Sequence, residues 1–140
     1  MKNRTLVEQW LIRAQSNLDR ARAGKIRDTI LYEDLCFDCQ QAAEKSLKAL
    51  LVAYDKESPH THIIAHLLET LEQSGLEIPE DVKSSSDLTE YAVHTRYPGL
   101  YDPVTAKEYR EALAVAERVH EWVVGHLKLL ASHKSKNNPS

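Results

Sequence analysis

The stretch CFDCQQAAEKSLKALL, residues 36–51, decides the fold class. It holds neither glycine nor proline, and its apolar residues recur at helical spacing. Extended outward, Tyr32, Leu35, Cys36, Cys39, Ala43, Leu47, Leu50 and Tyr54 form one face of a helix expected from about Asp28 to Asp55, closed off by Pro59. The Cys36–Cys39 pair has CxxC spacing, but a redox motif wants a βαβ context and a zinc site wants two more ligands. Both cysteines fall on the apolar face and read as small buried hydrophobes. Ile30, Asp34, Phe37, Gln41, Lys48 and Val52 line up along the opposite side as a mixed apolar and polar stripe. Such a surface suits a symmetric dimer, with Ile30, Phe37, Gln41 and Val52 as its contacts.

The same periodicity marks the rest of the chain as helical. Val7, Trp10, Leu11, Ala14, Leu18 and Ala21 define a first helix that Gly24 is placed to stop. Ile64, Leu67, Leu68 and Leu71 carry a third helix up to Gly75. Pro79 opens a fourth with Val82, Leu88 and Tyr91. Thr105 and Glu108 read as a capping box for a last helix with Tyr109, Ala112, Ala116, Val119, Val123, Leu127 and Leu130 in its stripe. Four glycines and five prolines in 140 residues leave little room for a turn-rich β fold. The expected architecture is all-α: one up-and-down bundle of four to five helices over residues 1–130, with 131–140 a disordered polar tail.

Charge is uneven. Residues 1–27 hold seven Lys/Arg against two Asp/Glu, residues 28–102 five against fifteen, and the remainder six against four. Arg13, Arg20 and Arg27 are spaced by sevens, so a continuous helix would bring them to one face, where they either meet phosphates or pair with the acidic middle. A net charge of -3 is low for a duplex binder. MKNRTLVEQW has no signal-like apolar run, and no stretch approaches the roughly 20 apolar residues of a membrane span, so a cytoplasmic protein is expected. His60 and His62 in SPHTHIIAHLLETL lack a nearby third ligand, and neither a metal nor a cofactor is expected.

AVHTRYPGLYDP, residues 92–103, breaks the helical pattern. Pro98 biases Tyr97 away from the helical region, and Pro98–Gly99 suits the centre of a type II turn. Arg96, Tyr97 and Tyr101 around that turn offer a cation and two phenols. They read either as a phosphate- or nucleotide-contacting site or as the finish of a helix, where an arginine favours the negative end of the dipole by roughly 0.3–1 kcal/mol.

CFDCQQAAEKSLKALL, HTHIIAHLLETL (60–71), RYPG (96–99), Trp10 and the A..NLDRA pattern of 14–21 together resemble the HEPN domain, over roughly residues 7–128. The resemblance implies a bacterial or archaeal homodimer that binds nucleotide or RNA, often with a minimal nucleotidyltransferase as its partner in a toxin–antitoxin-like module. In the ribonuclease branches an Arg-x(4–6)-His motif cuts RNA without a metal. Arg96 matches that arginine, but no histidine follows it until His120, and Asp38 stands where many relatives carry a histidine. Tyr101, with an ordinary pKa near 10, is a poor base at neutral pH. His94 would point to a different side of the helix from Arg96. The resemblance therefore favours a binding protein over an enzyme, with Arg96, Tyr97 and Tyr101 as ligand contacts, a metal-independent ribonuclease as the alternative, and a ligand-free dimeric interaction protein as a third.

Overall fold

The structure is a computed structural model describing residues 3–57, 59–93 and 98–136. Every regular element among them is helical: α1 (Arg4–Ala23), α2 (Tyr32–Ala53), α3 (Ile64–Gln73), α4 (Glu80–Lys83), a 3-10 segment (Ser84–Thr89), α5 (Glu90–Val93) and α6 (Ala106–Lys136). The all-α expectation holds. None of these helices is long and apolar enough to cross a membrane.

The organising element is α2. Fifteen of its 22 residues are buried, more than one apolar face can supply, so neighbours enclose it on most sides. Helix α1 runs antiparallel to it, with Asn17 bonded to Asp38 and Trp10 lying under Lys48. Helix α6 runs parallel: Tyr32 stacks on Tyr109 at one end, and the Tyr54 hydroxyl meets His126 Nε2 at the other. Parallel neighbours need a long return, which residues 54–105 provide through α3, α4 and α5. Leu18, Leu47, Leu50, Leu51, Ile64, Leu67, Leu71, Val82, Val119 and Val123 fill the centre with no more than a trace of exposed surface.

Two helix boundaries differ from the sequence reading. Helix α2 begins at Tyr32 rather than Asp28, because Gly24, at φ 67, ends α1 and the chain needs the next residues to reverse. Ile30 closes a turn onto the Arg27 carbonyl, and Leu31 is extended at φ -92, ψ 143. Ile30 and Arg27 therefore lie in a loop, not on the helix faces that the spacing suggested.

The fourth helix is broken into α4, the 3-10 segment and α5. Ser84 Oγ donates to the Asp81 carbonyl at 3.0 Å and Ser85 Oγ to the Val82 carbonyl at 2.6 Å, so consecutive serines offer the backbone an alternative to α-helix bonding. The buried residues are Val82, Ser85, Leu88 and Tyr91, one at every third position. That is the period of a 3-10 helix.

The capping box forms as expected. Glu108 N donates to Thr105 Oγ1 at 3.1 Å, and Thr105 N donates to Glu108 Oε1 at 3.2 Å.

Cys36 and Cys39 are free thiols with no exposed surface. Burial, reinforced by Glu108, Glu33 and Glu90, pushes the Cys36 thiol up to about 12, and burial pushes Cys39 up as well. Only thiolate is nucleophilic. Both should label slowly with a thiol reagent in the folded protein and rapidly after denaturation. Fast labelling of native protein would reopen the redox and metal readings.

Candidate functional site

Three groups of polar residues stand out. At the turn after α5, Arg96 and Tyr97 lie outside the described residues, as does His94. Gly99 has φ 82, as the third position of a type II turn requires, so the Pro98–Gly99 reading holds at its one demanding position. Leu100 and Tyr101 beyond it are 68% and 52% exposed, which leaves Tyr101 accessible to a ligand. Beside this end of the molecule a cavity of about 290 Å³ is rimmed by Asp87, Glu90, Glu108 and Glu111 over Leu88 and Ala112. Four carboxylates repel phosphate, which makes that cavity a poor place for an anion.

The second group is a buried network on α2. Glu44 and Lys48 have side chains 3% and 11% exposed and pair at 3.0 Å. Gln40 Nε2 donates both to Glu44 Oε1 at 3.0 Å and to the His62 carbonyl at 3.1 Å, and His62 Nδ1 lies 3.0 Å from the same Glu44 oxygen. Burial pushes the Glu44 pKa up. Hydrogen bonds from Gln40 and Lys48, the Lys48 charge and a hydrogen bond from His62 outweigh it and hold Glu44 below its ordinary value. The network ties the chain before α3 to the centre of α2. Thr61 and Thr89 complete that junction by accepting the Ile63 and Ile64 amides.

A third group bridges α1 and α2. Asn17 Nδ2 donates to Asp38 Oδ1 at 2.9 Å, Lys45 Nζ donates to Asn17 Oδ1 at 2.8 Å, and Arg20 Nε lies 3.4 Å from Asp38 Oδ2.

The predicted dimer stripe is partly spent inside the chain. Val52 is 8% exposed and belongs to the core, beside Leu6 and Trp10. Phe37 and Gln41 are half-buried, and Ile30 is half-buried in the loop before α2. Sequence reasoning missed Gln40 and Glu44, and it gave Lys48 and His62 other roles, in the dimer stripe and as a weak metal candidate. The signal for Gln40, Glu44 and Lys48 was present as the 40–44–48 spacing, which places three polar groups on one helix edge next to the apolar face.

His120, the first histidine after Arg96, lies on α6 about 20 Å along the helix from its start at Ala106. Burial and Arg22 lower its pKa against Glu121 and Asp19. It is not a local substitute for the missing motif histidine. Among the described residues no three His, Cys, Asp or Glu side chains gather as a metal site.

The HEPN domain family model matches residues 7–128. The chain belongs to the HEPN family. Two solved structures resemble this HEPN chain along most of its length, each at 32% identity. One is described as ST0689, an archaeal HEPN homologue, with a TM-score of 0.68 and coverage of 86% of this chain and 96% of that one. The other is TT1696 from Thermus thermophilus, with a TM-score of 0.74 and coverage of 85% and 96%. The comparison with curated proteins gave no match.

Proposed function

We propose that this HEPN protein is a cytoplasmic, prokaryotic homodimer that binds nucleotide or RNA phosphate at the Arg96–Tyr101 turn. We further propose that it partners a minimal nucleotidyltransferase in a toxin–antitoxin-like module. The observation that carries the binding role is the family match across a segment that retains Arg96 beside a Pro98–Gly99 turn. The motif histidine is missing, and His120 lies well along α6. Cleavage by the RNA's own 2′-hydroxyl needs a proton acceptor near neutrality together with a cation on the phosphate. Arg96 supplies the cation alone, which supports binding over turnover.

The expected result with a fluorescent mononucleotide is binding that weakens with salt. Arg96→Lys keeps the charge but loses the planar fork, so it should weaken binding while changing stability by less than about 1 kcal/mol. Intact binding in Arg96→Ala makes the arginine a helix-end cap, and RNA cleavage lost in that variant favours the ribonuclease reading.

Dimerisation has its own test. With Val52 withdrawn into the core, Phe37 and Gln41 are the central contacts. Phe37→Asp would desolvate a charge in that contact, so it should convert dimer to monomer on size exclusion. A wild-type monomer at micromolar concentration rules the dimer out.

A further inference from the structure

The α1–α2 seam carries more positive charge than its own structure uses. Asp38 is 4% exposed and Asn17 8% exposed, so both are buried polar groups that must be paired. Asn17 bonds at both ends of its amide, giving to Asp38 and accepting from Lys45. Arg20 lies on the second Asp38 oxygen, and Lys45 is joined to that carboxylate only through Asn17, so two cations gather around one buried acid.

Arg13, two helical turns before Arg20, adds a third cation. Among the described residues it bonds only to the uncharged oxygens of Gln9. The neighbouring carboxylates are largely engaged elsewhere. Asp19 contacts Gln15 and Arg22, and Glu44 is hydrogen-bonded to Gln40, Lys48 and His62, so it acts on Lys45 only through space. Asp34, one turn before Asp38 on α2, offsets at most one of the three cations.

The donors suit phosphate. Arg20 faces Asp38 through Nε, and its side chain is 72% exposed, so much of the guanidinium stays open to solvent. Lys45 spends one of three N–H donors on Asn17. Arg13 and Arg20 are about 10 Å apart along α1, a span that a strand of nucleotides covers and one phosphate does not.

The geometry points to a second phosphate-contacting surface on the α1–α2 seam, where Arg13, Arg20 and Lys45 hold the backbone of an RNA strand and Asn17 and Asp38 position the two inner cations. This rests on the reading that the chain engages RNA phosphate, but it uses α1 and α2 rather than the turn after α5.

The experiment measures anisotropy of a labelled oligouridylate and a labelled uridine mononucleotide across a salt series, with each variant checked for an unchanged thermal midpoint. Arg13→Ala with Lys45→Ala should weaken oligouridylate binding about tenfold and reduce its log–log salt slope by about 1.4, at roughly 0.7 per phosphate contact on a single strand. Mononucleotide binding should stay within about twofold, since one phosphate cannot bridge the seam. Arg20→Lys should weaken the oligouridylate severalfold, and Asp38→Asn should weaken it too, although it removes a negative charge. Arg22→Ala, which removes a cation paired with Glu117, should change nothing.

The proposal is overturned if the double variant keeps its affinity and slope, if Arg22→Ala reproduces the loss, if Asp38→Asn tightens binding, if the mononucleotide loses affinity equally, or if wild-type protein does not bind oligouridylate. Failure of the turn reading looks different: Arg96→Ala would leave mononucleotide binding intact while the seam variants still lose the strand.

Discussion

Glu44→Ala should destabilise the protein by about 3–5 kcal/mol, the usual cost of removing one partner from a buried ion pair. The carboxylate is 3% exposed and accepts from Gln40, Lys48 and the solvent-facing His62, so its loss leaves the buried Gln40 and Lys48 donors short of an acceptor. Among the described residues, Lys48, 11% exposed, would keep only the Trp10 ring, 5.4 Å from its ammonium, as a paired partner. Replacing Glu44 and Lys48 together with apolar residues of similar volume should cost far less, because no buried charge is then left alone. Urea denaturation of the single and double variants measures the difference. Equal destabilisation by both would mean that the pair is not coupled.

The same carboxylate gives stability a pH dependence. Its folded pKa lies below the ordinary value, so its contribution is fully present above the unfolded carboxylate range near 4.3 and is lost as pH falls through the folded pKa. Wild-type protein should lose stability in acid more steeply than Glu44→Gln, whose side chain does not titrate. Parallel stability curves below pH 5 would contradict this.

Leu47→Ala should cost about 2–5 kcal/mol. Leu47 has no exposed surface and lies midway along the enclosed α2, where neighbours on several sides limit how far the site can collapse around a cavity. The urea midpoint should fall with the slope unchanged, since the surface exposed on unfolding stays nearly the same. A loss below about 1 kcal/mol would mean that the bundle repacks around this position more freely than its burial implies.

Features set by neighbours in sequence were legible before the structure. The Thr105–Glu108 box, the Gly24 stop and the stripes of α1, α3 and α6 depend on local spacing and appear where expected. The break between Glu80 and Val93 was missed because a moderate apolar pattern was read at 3.6 residues per turn when the buried residues repeat every three. The Glu44 network was harder to foresee. The 40–44–48 spacing marks a polar edge beside the apolar face, but His62, eighteen positions from Glu44, is brought in by the fold and has no signal in that pattern. Lys48 was likewise read as part of the far side of α2, whereas α1 covers much of that side, with Asn17 on Asp38 and Lys45 and Trp10 under Lys48. Arg96 and Tyr97, on which the ligand reading leans most, owe their weight to the family motif.

Because α2 and α6 run in the same direction, the link between them does little to specify how they pair. A single peptide-bond cut in the turn at 98–103 would leave α6 in contact with the remaining helices through Ala112, Ala116, Val119 and Val123, all buried. The intact link then acts chiefly by raising the local concentration of α6 around a surface that already matches it. The chain is in that sense two complementary pieces on one tether, an α1–α5 part and a long helix that completes it.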